Sequence, residues 1–100
     1  MILVARLRPS DDPDAFRAAV GSAIDALAAR PGHIRTRLAR GLDEPSRWVL
    51  ISEWENVGSY RRALSSFDVK MASGVLMGAV IDETTAYQEE VDRPGEDVES

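Results

Sequence analysis

A handful of side chains in this sequence are suited to chemistry on a small molecule. His33 is the one histidine among 100 residues, and its ordinary pKa near 6.5 suits a general base. Trp54 and Tyr60 stand six positions apart; their flat faces favour stacking, and the indole N–H and phenol O–H can orient oxygen atoms. Trp48 stands six positions earlier, in WVLISEW. Arg35 and Arg37 could receive a phenolate or carboxylate, or pair with acids such as Glu83. Much other chemistry is excluded. The chain has no cysteine, so disulfides, thiolate metal sites and cysteine nucleophiles are ruled out. A single histidine cannot build a histidine-cluster metal site. No serine lies in a glycine-flanked elbow, and neither GxGxxG nor GxxxxGK[ST] occurs. No cofactor is therefore expected, and what remains is chemistry that a dry, shaped cavity can support.

Most of these residues also have a structural reading. A bulky aromatic between a sheet and its helices is more often packing than a site. A histidine just after Pro31-Gly32, at a strand mouth, is more often on the surface.

The elements that must position them follow from periodicity. Residues 2–8 alternate as a strand, with Ile2 and Val4 on one face and Leu3, Ala5 and Leu7 on the other. Asp12 caps a helix with Pro13 at its first position, and Phe16, Val20, Ile24 and Leu27 form its apolar stripe. Pro31-Gly32 ends it. Residues 33–40 alternate again, with Ile34, Thr36 and Leu38 opposing His33, Arg35 and Arg37; GLDEPS turns the chain, and RWVLISEW returns as the partner strand. Asn56 caps a second helix whose inward side carries Tyr60, Ala63 and Leu64. Ser65-Ser66 interrupts it, and Phe67, Met71, Val75 and Leu76 continue inward. DETTAYQEEV closes as a last strand. The order βαββαβ describes an α+β, ferredoxin-like sandwich: a four-stranded antiparallel sheet with two helices on one face.

Period-two alternation places Trp48, Leu50, Ser52 and Trp54 on one side of their strand and Val49, Ile51 and Glu53 on the other. The tryptophan side should face the helices, with Trp48 as core and Trp54 as the wall of a pocket bordered by Ser52, Tyr60, Leu64, Phe67 and Met71. The opposite face is expected to carry Leu3, Ala5, Leu7, Val49 and Ile51. An apolar sheet face without helices calls for a partner, most simply a second copy in a homodimer.

The net charge of −5 lies at one end. Residues 89–100 hold six acids against one arginine, leaving the rest neutral. Residues 1–90 are read as one domain and 91–100 as an acidic flexible tail. A neutral body is a poor partner for nucleic acid. Neither a secretory leader nor a membrane span is read, so a cytoplasmic location is expected.

The stretch PGHIRTRLARGLDEPSRWVLISEWENVGSYRRALSS resembles the antibiotic biosynthesis monooxygenase superfamily of dimeric α+β barrels. The Pro-Gly turn, the arginine-bearing hairpin, the Trp54-Glu55 pair and Tyr60 on a capped helix carry the likeness, which extends over residues 1–90. It implies a dimeric α/β barrel and an activity of the family's kind: cofactor-independent monooxygenation of an aromatic, polyketide-like phenol or anthrone, with dioxygen as co-substrate. Trp54 and Tyr60 would then be the catalytic positions, with Val4, Leu50, Ser52, Leu64, Phe67 and Met71 contacting substrate. Haem-degrading relatives pair the tryptophan with an asparagine on the first strand and a histidine on the second helix. Here Val4 stands at the first position and no histidine at the second, so haem degradation is not expected. Some quinone-forming relatives carry an asparagine where this chain has Leu50. A cyclase or isomerase, or a small-molecule-binding protein without turnover, remains open on the same scaffold.

Overall fold

The computed structural model describes residues 1–9, 12–82 and 85–96. Strand β1 (Ile2–Leu7) leads into helix α1 (Pro13–Ala28), and β2 (His33–Arg40) and β3 (Trp48–Trp54) form a hairpin. Three short helices follow, α2 (Val57–Leu64), α3 (Phe67–Ala72) and α4 (Gly74–Ala79), before β4 (Thr85–Tyr87). The sheet is antiparallel in the order β2-β3-β1-β4, which is the ferredoxin-like arrangement. Among the described residues no helix is long and apolar enough to cross a membrane.

Local chemistry accounts for the boundaries. The Asp12 carboxylate accepts from the backbone N–H groups of Asp14 and Ala15 at 3.0 and 3.1 Å, and Pro13 has no N–H to leave unpaired. Asn56 caps α2 by accepting from Ser59 N–H at 2.8 Å. Ser66 caps α3 with extended backbone (φ −72°, ψ 146°). That residue does more than pause the second helix. Ser65 ends one helix, and Ser66 starts another with a new rotational phase. A further break at Ser73 separates α4, so the expected single helix with one interruption is three segments. The last strand is also shorter than the ten-residue alternation suggested. Among the described residues the strand spans Thr85–Tyr87, which pairs with β1, while Glu83, the acid expected to meet Arg35 and Arg37, lies outside the described residues.

The two sheet faces divide differently from the expectation at β1. Its register on β3 pairs Leu3 with Ser52, Ala5 with Leu50 and Leu7 with Trp48. Directly opposed residues share a face, so Leu3, Ala5 and Leu7 lie on the tryptophan side, and all three are buried beneath the helices. The open face instead carries Ile2, Val4, Val49 and Ile51, all partly exposed, with Arg6, Arg35, Arg37 and Glu53 around them. Alternation gave the two sets of β1 correctly. It could not say which set faced the helices, because both are apolar.

The core has two lobes. One gathers Leu7, Phe16, Val20, Trp48, Leu50 and Leu76 among smaller residues. Phe16 meets Trp48 edge-on at 5.4 Å, and the guanidinium groups of Arg17 and Arg40 lie 5.3 and 5.0 Å from the Trp48 ring centroid. The other lobe, at the far end of β3, gathers Met1, Leu3, Leu27, Trp54, Ala63 and Val69, with Tyr60 against it.

Candidate functional site

A cavity of about 350 Å³ opens over this second lobe, within the roughly 300–1,000 Å³ range of small-molecule sites. It lies inside the helical layer. Leu27 of α1, Tyr60 and Leu64 of α2, Val69 and Lys70 of α3, and Ser73, Gly74, Leu76 and Met77 around α4 form its wall. Most of that wall is carbon. The Ser73 hydroxyl is committed, donating to the Val69 carbonyl at 2.5 Å. Tyr60 is half-buried, and its hydroxyl has no hydrogen-bond partner among the described residues. Burial pushes its phenol above the ordinary value of 10.0, so at neutral pH it is a protonated donor on a residue of the cavity wall.

Trp54 lies one layer deeper. It is 1 % exposed and meets Tyr60 in a tilted contact with ring centroids 5.9 Å apart. Its indole N–H donates to Ser52 Oγ at 2.8 Å. Ser52 Oγ lies 2.8 Å from Thr36 Oγ1, and Thr36 Oγ1 lies 2.7 Å from His33 Nε2. One pattern gives every proton of this chain an acceptor: Ser52 accepts from the indole and donates to Thr36 Oγ1, and Thr36 donates to Nε2 of a neutral His33 whose proton is on Nδ1. Protonating His33 makes Nε2–H a donor to Thr36 and leaves one of the two hydroxyl protons without an acceptor among the described residues. Burial likewise pushes the pKa of His33 below 6.5.

Two backbone features bring His33 to this side. Gly32 adopts φ 87°, where a Cβ would collide with the Ser59 side chain. Its carbonyl accepts from Glu55 N–H at 2.8 Å, which docks the turn on the start of α2. A bulge between His33 and Arg35 then shifts the register, so His33 opposes Trp54 while Arg35 and Arg37 oppose Glu53 and Ile51. The imidazole meets the indole edge-on at 5.0 Å. His33 is therefore neither a free surface residue nor on the side of Arg35 and Arg37, as strict alternation had implied.

The structure brings together only part of the expected site. Tyr60 and Leu64 line the cavity. Trp54, expected as a pocket wall, is not among the residues that line the cavity; it lies beneath Tyr60 and is buried like Trp48. Ser52 holds the indole. Leu50 belongs to the other core lobe. Val4 is on the open face of the sheet, paired with Ile51 and Thr85, and cannot reach the helical side. Phe67 and Met71, expected inward, are 74 % and 70 % exposed, because α3 begins afresh at Ser66 and turns Val69 to the interior instead. Residue types alone had not singled out Leu27, Val69, Lys70, Ser73 or Met77. The serine at position 66 was the available signal, since a capping residue announces a new helix. Among the described residues no group of three metal-ligating side chains occurs.

The family model described as antibiotic biosynthesis monooxygenase matches residues 1–74. The chain belongs to this family. A crystal structure of a SnoaB variant from Streptomyces nogalater, described as a cofactor-independent oxygenase, superposes with a TM-score of 0.85 at 22 % identity, covering 94 % of this chain and 96 % of that one. Rv0793 from Mycobacterium tuberculosis superposes with a TM-score of 0.69 at 18 % identity, over 91 % of this chain and 97 % of that one. At such identities the likeness concerns the fold. Two curated relatives, a 42.8 kDa protein in the whiE locus of Streptomyces coelicolor and the protein SchA of Streptomyces halstedii, are each 42 % identical over 36 residues, 36 % of this chain. That match spans 9 % and 10 % of their own lengths. The antibiotic biosynthesis monooxygenase match ends at Gly74, so the cavity wall from Leu27 to Gly74 falls within it and Leu76 and Met77 lie beyond.

Proposed function

We propose that this chain is a cofactor-independent monooxygenase of an aromatic phenol or anthrone bound in the cavity beside Tyr60. The observation that carries the reading is an apolar cavity of ligand size lined by Tyr60, whose phenol O–H has no partner among the described residues, in a chain of the antibiotic biosynthesis monooxygenase family. The description of SnoaB as a cofactor-independent oxygenase supports it. The chemistry asks little of a protein. Loss of a proton from an anthrone methylene leaves an anion rich enough in electrons to reduce dioxygen. Bond formation at that carbon gives a hydroperoxide, and loss of water leaves a quinone carbonyl. One oxygen atom enters the product, the other leaves in water, and the substrate supplies all four electrons. The cavity excludes water and holds the ring. Tyr60 O–H donates to a substrate oxygen and steadies the charge that develops there.

A homodimer belongs to the same proposal. Ile2, Val4, Val49 and Ile51 leave an apolar sheet face without helices, and a two-fold partner would cover it. Binding without turnover is the second reading, favoured by the complete occlusion of Trp54. An oxygen electrode decides between them. With a soluble anthrone, uptake should exceed the buffer rate without added metal or nucleotide and should fall severalfold in Tyr60→Phe. Uptake at the buffer rate, with the anthrone still bound, would leave the binding protein.

A further inference from the structure

The cavity wall contains the chain's single lysine. Eleven of the twelve basic residues are arginine, and the exception, Lys70, stands at this one place. Its ammonium has no carboxylate partner among the described residues. Asp68, two positions away on the same short helix, is not a facing neighbour. The Ser73 hydroxyl has given its proton to a carbonyl, so among the described residues the side-chain donors of the wall left uncommitted are the Tyr60 phenol and the Lys70 ammonium. An ammonium can only donate, and the phenol is a donor at neutral pH. Two donors on a carbon-lined wall complement a ligand that presents acceptor oxygens, best with a negative charge among them. Lysine also fits a rim position, because its methylene stem extends the apolar wall while the head stays near water.

We propose that Lys70 is the anion-recognising residue of the cavity, and that the molecule bound there is a ring-bearing apolar body with one anionic oxygen group, a carboxylate or an ionised phenol or enol. The inference rests on the cavity being the substrate site and adds the charge class of what enters it. An ammonium at the rim stabilises the ionised ligand over the neutral one, and lowers the pKa of a bound phenol or enol in the same sense. Because the head is exposed, the preference is modest and screened by salt.

Calorimetric titration with 2-naphthoate and with 2-naphthamide, which share a shape and differ in charge, tests this at pH 7. The wild-type chain should bind the acid about tenfold more tightly than the amide, with the difference shrinking as salt is raised. Lys70→Met should keep the amide affinity and lose the preference for the acid; Lys70→Arg should restore it. Equal binding of the two probes to the wild-type chain, or a preference surviving in Lys70→Met, overturns the role of Lys70 while leaving the cavity as the site. If neither probe binds, the cavity reading fails and this inference fails with it.

Discussion

A buried indole N–H needs an acceptor, and Ser52 is that acceptor for Trp54. Ser52→Ala should therefore strand a donor in the core and cost about 1–3 kcal/mol, read from urea unfolding at unchanged fold by circular dichroism. A smaller loss would mean that water replaces the hydroxyl. At the outer end of the same chain, His33 gives stability a pH dependence. Its folded pKa is depressed, so the unfolded chain binds more protons on acidification. The contribution of neutral His33 is complete above about pH 6.5 and is lost as pH falls through the lower folded value. The unfolding midpoint should fall between pH 7.5 and 5.5, and His33→Gln should flatten that slope. The sequence showed His33 as a candidate base and Trp54 as a candidate wall, but not their connection. The connection depends on a one-residue bulge, and nothing in HIRTRLAR marks where alternation slips.

The helical elements show how phase decides a site. Tyr60, Leu64, Phe67 and Met71 are spaced four, three and four apart, which reads as a single stripe only if the helix is continuous. With a new start at Ser66, the inward residue of α3 is Val69. Val69→Ala should cost roughly 1–3 kcal/mol, whereas Phe67→Ser and Met71→Ser should each change stability by no more than about 0.5 kcal/mol. Thermal melts of the three variants would establish the order, and a large loss at Phe67 would restore the continuous helix. Element types and order were legible because caps and turns are local: Asp12-Pro13, Pro31-Gly32 and Asn56 each did what their chemistry required. Sheet faces were less legible, since β1 is apolar on both sides and its orientation depends on pairing with β3.

For the molecule as a whole, the sheet has one face under helices and one that is open. The proposed dimer uses the open face, so Ile51→Asp should break it, because an unpaired carboxylate in a buried interface is costly. Light scattering at micromolar concentration should report a monomer for the variant and twice that mass for the wild type. A wild-type monomer would remove the dimer from the proposal and leave the cavity, which lies on the other side of the sheet, unaffected.

The roof of that cavity is built from helices of eight, six and six residues, each far shorter than the roughly 12–15 needed for a helix to persist alone in water. Such segments exist only while their neighbours hold them. The roof is therefore the part of the fold whose amides should exchange with deuterium soonest, opening in units smaller than the whole. Val69 and Leu76 should lose protection while Leu50 and Trp54 in β3 keep theirs, and a bound ring should slow exchange in the roof without altering the sheet. Entry to the site would then need no rigid door, only the brief melting of a few turns already separated from one another by serines.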